Sequence, residues 1–428
     1  MPDSRLTPLT EALQPPARMP REFALFTLGF RPFYLLAALF AAVSMAGWMG
    51  FLEGLGWHGY LPAPVWHQHE MVFGFALATL TGFLLTAGRA WTGLPTPQGW
   101  PLALLATHWV AARVLLFTGP DYAAAVFDGS FPFVFAAVMA RVLIAAGNRR
   151  YYFAVAVLSL LGLANIGFYL EQAGLDAWPT GVSVHAALFL VVTMVVIIGG
   201  RVVPSFTANA LPRAGVIVRS PRLDYAALGF TLAAFAAALT GPPAWFTAPI
   251  AGIAALLHLA RQARWAPLAT LRRPILWILH LSHAWIPAGL VLLALSSLGW
   301  IAPSVALHAF GAGVVGGMII GMITRTALGH TGRPLHAGWQ ETSAYVLVHA
   351  AAATRVAAGL APDAYTELVW AAGHLWALAF LVYFFTYLPR LALAERLKPA
   401  PVAPHPDRQG APRNARQAGE NGNTGLQR

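Results

Sequence analysis

The stretch from His185 to Arg201 reads HAALFLVVTMVVIIGGR, and its reading decides the fold. An apolar run of about 20 residues crosses the hydrocarbon core of a bilayer as a helix. This one begins on an imidazole and ends on a guanidinium. The same design recurs from His69 to Arg89 and from His308 to Arg325. Working outward, further apolar windows are centred near Ala41, Leu80, Val110, Val134, Leu160, Val192, Leu232, Ile253, Pro287, Val315, Ala351 and Ala379, about twelve in all. The predicted fold class is an all-α integral membrane protein. The His-to-Arg design falls on the second, sixth and tenth spans, which points to three four-helix pseudo-repeats; chance spacing is the competing reading.

Composition agrees with this class. Of 428 residues 58% are hydrophobic and 10% charged, where a soluble globule needs roughly a quarter charged. The formal charge of +11 is carried by arginines scattered at the ends of apolar stretches, not gathered into a nucleic-acid patch. Connections holding Arg89, Arg149–Arg150, Arg213–Arg222, Arg261–Arg273 and Arg325–Arg333 alternate with connections free of Lys and Arg, so both termini are expected to be cytoplasmic. Arg113 and Arg355 alone break the alternation. The expected domains are an N-terminal segment over 1–29, a twelve-helix membrane domain over 30–394 and a disordered basic tail over 395–428. There is no cysteine, which excludes disulfides, iron–sulfur clusters and thiolate ligation.

Nine of the 14 histidines fall in or at the edge of apolar spans: His69, His108, His185, His258, His280, His283, His308, His349 and His374. Ionisable side chains in hydrocarbon are costly and mark sites by default. The only intramembrane carboxylates in this reading are Glu70 and Asp128, few for a cation transporter. Neutral imidazole suits haem iron or copper. His69, His185 and His308 start inward-running spans and are expected near the outer face, with His374 deeper and His349 near mid-depth. These five form the candidate cofactor-binding set. His280 and His283, three apart on the ninth span, share a face and join the candidate metal ligands. For any one of them, a hydrogen bond to a neighbouring helix is the competing role.

The motif Trp66-His67-Gln68-His69-Glu70-Met71 opens the second span. His67 and His69 point to opposite sides of a continuous helix, so both reach one site only if His67 lies outside it. Glu70 either orients a ligating imidazole or favours the helix start. In the tenth span Gly313, Gly317 and Gly321, with Gly316, admit either a porphyrin or a neighbouring helix. Met318 and Met322 are soft donors or packing. Arg201 and Arg325 are candidates to grip an anion such as a haem propionate, and Arg333 lies in the same kind of inner segment.

The chain resembles the NnrS family of bacterial membrane proteins. The likeness is carried by Phe30-Arg31-Pro32-Phe33, by Trp66 to Phe75, by the Gly199 to Asn209 stretch and by Arg325 to Leu335. It implies a haem- and copper-containing protein of the nitric oxide response, acting against nitrosative stress in the inner membrane of denitrifying and other bacteria. A looser likeness in architecture is to the catalytic subunit of haem-copper oxidases and nitric oxide reductases. By that analogy His69 and His308 pair on one haem, and His185 serves copper or a second haem. The seventh span, Leu223 to Thr240, lacks the histidines this analogy needs.

The leading expectation is therefore a membrane haem and copper protein whose centre, near the outer face, meets nitric oxide or another small gas. The alternative is a metal-handling permease with a histidine-lined path. No catalysed reaction and no electron donor can be read from the residues.

Overall fold

The computed structural model describes residues 21–59, 61–175, 179, 181–211 and 217–395. The expected disordered tail, most of the expected N-terminal segment, and Arg213 lie outside the described residues. A compact unit runs from Phe23 to Ala394, and a second comprises 1–22 with 395–428.

Twelve long helices are present among the described residues: α1 Phe30–Leu52, α2 Ala63–Thr92, α3 Trp100–Thr118, α4 Asp121–Ala145, α5 Tyr152–Gln172, α6 Val182–Ala210, α7 Pro221–Thr240, α8 Ala244–Ala263, α9 Pro274–Ser297, α10 Pro303–His330, α11 Trp339–Ala358 and α12 Tyr365–Ala392. Every predicted window centre lies in its own helix. Even the shortest, α3 with 19 residues, spans about 28 Å at the helical rise, enough to cross the hydrocarbon core. Eleven spans are long and apolar enough to cross a membrane. The exception, α11, carries Gln340, Glu341, Thr342 and Arg355 and packs between α10 and α12.

Several helices start on a proline, Pro101, Pro221, Pro274 and Pro303 among them, where the missing N–H costs nothing. Gly93 stops α2 in the left-handed conformation that L side chains disfavour, φ 70°. The departure from all-α among the described residues is a pair of three-residue strands, β1 Arg21–Phe23 and β2 Leu393–Glu395.

The repeated His-to-Arg helices are the central ones. α6 packs on both α2 and α10, and α10 packs on α2. In its most apolar window α2 is 78% buried and α10 67%, against 28% for α7. The sequence gives no hint of a further shared feature: both α2 and α10 widen into a π-helical stretch, Glu70–Ala76 after His69 and Ala309–Gly316 after His308. Such widened turns favour functional sites.

Candidate functional site

The N-terminal half of α2 carries a buried ion cluster. Glu70 accepts from Arg113 Nη1 on both oxygens, at 2.9 and 3.1 Å. Asp128 of α4 pairs with Arg113 Nη2 and accepts from Asn165 Nδ2 at 2.7 Å and Tyr169 Oη at 3.0 Å, both on α5. Because the Asn165 amide nitrogen donates to Asp128, its oxygen is left to accept from His69 Nε2, at 3.0 Å. His69 Nδ1 lies 2.8 Å from the Glu70 carboxylate. Both ring nitrogens thus face oxygen atoms, Nε2 lying also 3.1 Å from Asp128 Oδ2. Mutual pairing of opposite charges is what allows such groups to stay in hydrocarbon.

Gly74 makes room for the cluster. A Cβ there would meet Phe40 Cε1 at 2.5 Å, Glu70 Oε2 at 2.9 Å and Arg113 Nη1 at 3.1 Å. Its carbonyl, in the widened turn, accepts from Trp109 Nε1 at 3.3 Å. His69 is therefore committed to carboxylates in this structure.

His67 lies inside helix α2, and it is His67 that interacts electrostatically with His308 of α10. Its ring stacks on Trp48 at 4.7 Å, and its Nδ1 is buried without a partner. His308 donates Nδ1–H to the Ser304 carbonyl at 2.7 Å, which leaves Nε2 for another ligand. Arg355 of α11 interacts electrostatically with both imidazoles, its Nη1 is buried without a partner, and its guanidinium lies over Tyr365 at 5.8 Å. Two imidazoles with a nitrogen to spare, beside an unpaired cation, are a donor set that fits a metal carrying an anionic group, as haem does with its propionates.

The other expected ligands are dispersed. His185 is half-buried in the first turn of α6, near Glu171, whose carboxylate caps that helix by accepting from Gly181 and Ser183 N–H, each at 2.8 Å. His374 is exposed, stacked on Trp370 at 4.0 Å and bonded to its carbonyl. His349 has partners on both nitrogens, Trp285 Nε1 at 3.1 Å and Ser282 Oγ at 3.4 Å. Arg201 is exposed, and Arg325 lies 3.8 Å over the Phe206 ring. Among the described residues no three His, Asp or Glu side chains form a group that would hold a metal ion.

A second set of imidazoles gathers where α8 and α9 pack on α6 and α7. Thr207 and Thr231 each give their hydroxyl hydrogen to the carbonyl four residues back, so they accept from His280 Nε2 at 2.8 Å and from His258 Nε2 at 3.0 Å. Gln262 Nε2 donates to the His280 carbonyl at 2.6 Å, which turns its oxygen toward His283 Nδ1 at 3.2 Å. His258 Nδ1, His280 Nδ1 and His283 Nε2 are left buried and without partners. The rings of His258 and His283 are 5.6 Å apart.

The glycine stripe on α10 serves packing. A Cβ at Gly313 would meet Trp285 at 2.4 Å, at Gly316 Trp376 at 2.4 Å, at Gly317 His349 and Ser282 at 2.6 Å, and at Gly321 Leu279 at 2.8 Å. Side chains of α9, α11 and α12 already fill the places a porphyrin would need.

Fold and site together define a multi-pass α-helical membrane protein with two separate sets of imidazoles. Residues 24–394 match the family model described as NnrS protein. The chain belongs to the NnrS family. No curated protein matches the chain.

Proposed function

We propose that this protein is a membrane haem protein of the nitric oxide response, with its centre at the outer ends of α2 and α10. Family membership supports the coarser part, a membrane protein connected with that response. The observation that carries the finer part is the meeting of His67, His308 and Arg355, each with a nitrogen lacking a protein partner or, for His308, turned free by the Ser304 carbonyl. His308 Nε2 and His67 would hold the iron, and Arg355 a propionate. Bound there, haem supplies a site able to bind or reduce a small gas. Copper would find its best-prepared donors in the bare nitrogens of His258 and His283, whose rings are 5.6 Å apart. We assign the bacterial inner membrane, with the basic connections facing the cytoplasm.

The test is the absorption spectrum of detergent-purified protein, oxidised, dithionite-reduced and exposed to nitric oxide, with iron and copper quantified on the same sample. A Soret band that shifts with nitric oxide is expected in the parent protein and in His374→Ala, and its loss is expected in His67→Ala and His308→Ala. A colourless sample free of iron overturns the reading; one carrying copper alone moves it to metal handling.

A further inference from the structure

A cleft lies where α2, α6 and α10 meet, beside Tyr34 of α1. Its cavity volume is about 70 Å³. Its back is buried: Ala76, Val191, Met194, Val315 and Met318. Half-buried Leu80, Phe83, Val195, Ile198 and Val202 frame its mouth, at the depth of the hydrocarbon and between two spans. No polar surface lines it, because the hydroxyl of Thr79 is bonded to the Phe75 carbonyl. Water gains nothing in such a space, and apolar cavities in proteins stay dry and take up small apolar solutes.

Two further features narrow the occupant. Three lining side chains, Met194, Met318 and Met322, are thioethers, soft and polarizable surfaces for a small solute held by dispersion. The cleft also reaches Gly199. A Cβ at that position would lie 3.6 Å from Met318 Cε and 4.0 Å from His283 Cδ2, the ring carbon bonded to the bare Nε2. The missing side chain leaves methyl-sized space at this end of the cleft, within van der Waals reach of the His283 ring, whose Nε2 has no protein partner.

We infer that this cleft is a lateral access and holding site for a small, uncharged, lipid-soluble molecule, which it leads from the bilayer to His283. A lipid acyl chain is the competing occupant. The inference stands whether or not haem binds at the outer ends of α2 and α10, since its probe is xenon and its readout needs no cofactor.

The experiment is ¹²⁹Xe NMR of the full-length protein in nanodiscs, with empty nanodiscs as reference. A protein-dependent xenon shift is expected in the parent and in Leu256→Phe, a control at an exposed position on α8. Loss of the shift is expected in Val195→Phe, which fills the mouth, and in Gly199→Leu, which fills the end. Far-UV circular dichroism establishes that each variant is folded; Val195 is only half-buried, so its variant decides the matter where Gly199→Leu does not fold. Absence of a shift in the folded parent protein, or its survival in folded Val195→Phe, overturns the inference. So does native mass spectrometry in which a phospholipid is retained by the parent and lost from Val195→Phe.

Discussion

At the scale of single residues, the informative ones are the two that broke a rule. Arg113 and Arg355 lie toward the span ends that the positive-inside alternation assigns to the outside, and each turns out to be the cation of a cluster, one buried with Glu70, Asp128 and His69, the other half-buried and in electrostatic reach of His67 and His308. A guanidinium placed where topology disfavours it is held by something local. For Asp128 this gives a firm expectation. Asp128→Asn removes the anion that faces Arg113, His69 and Tyr169, and uncompensated buried charge costs about 3–5 kcal/mol; thermal unfolding in mild detergent should show a large loss. Adding Arg113→Met to Asp128→Asn should restore part of it, and no restoration would mean the two do not interact. The residue types of the site were legible in the sequence, as were Glu70 as a partner for an imidazole and the inner pair His280 and His283. The choice between His67 and His69 was not, because hydropathy records depth in the bilayer but not which way a helix face turns. Nor were Asn165 and Tyr169, since an asparagine or tyrosine in a span carries no sign of its partner.

At the scale of elements, hydropathy fixed the number and centres of the helices well, down to α11, whose polar residues lower its apolar character without removing the helix. It missed the π-helical stretches in α2 and α10, because a widened turn changes the residues per turn and leaves composition untouched. Their placement just after His69 and His308 aligns α2 with α10 as counterparts and strengthens the case for repeated units. Of the two readings open for the stripe from Gly313 to Gly321, packing is the one found: it accepts Trp285, Trp376 and His349, not a flat ligand. Gly316→Leu should therefore overpack the contact with Trp376, at about 1–3 kcal/mol, read as a lowered Tm. A further variant, Trp376→Phe combined with Gly316→Leu, should recover some of that loss.

At the scale of the molecule, the absence of cysteine gives a direct check of orientation. Single cysteines introduced at Gly299 and at Gly93 should be labelled by a membrane-impermeant maleimide from opposite sides, Gly299 from outside in intact cells and Gly93 only after lysis; labelling of both from outside would reverse or break the assigned topology. The beginning and end of the membrane unit are joined. Arg31 Nη1 donates to the Leu391 carbonyl at 2.8 Å, Ala24 N–H to the Ala392 carbonyl at 2.8 Å, Trp376 Nε1 to the Ala41 carbonyl at 3.2 Å and Trp370 Nε1 to Glu53 at 2.7 Å. Arg31→Ala leaves a helix-end carbonyl unpaired and should cost about 1–3 kcal/mol, seen as a lower Tm with secondary structure unchanged. This joining also sets an order of events at the ribosome. The first helix to leave the exit tunnel packs on its immediate successor α2, but its other main neighbour, α12, arrives only some 360 residues later, so a nascent chain halted anywhere before α12 carries Arg31 without the carbonyl it binds. Cells should treat such truncated products as substrates for membrane proteases instead of storing them as partial folds, and a stop codon placed even just before Tyr365 should abolish accumulation of the whole protein.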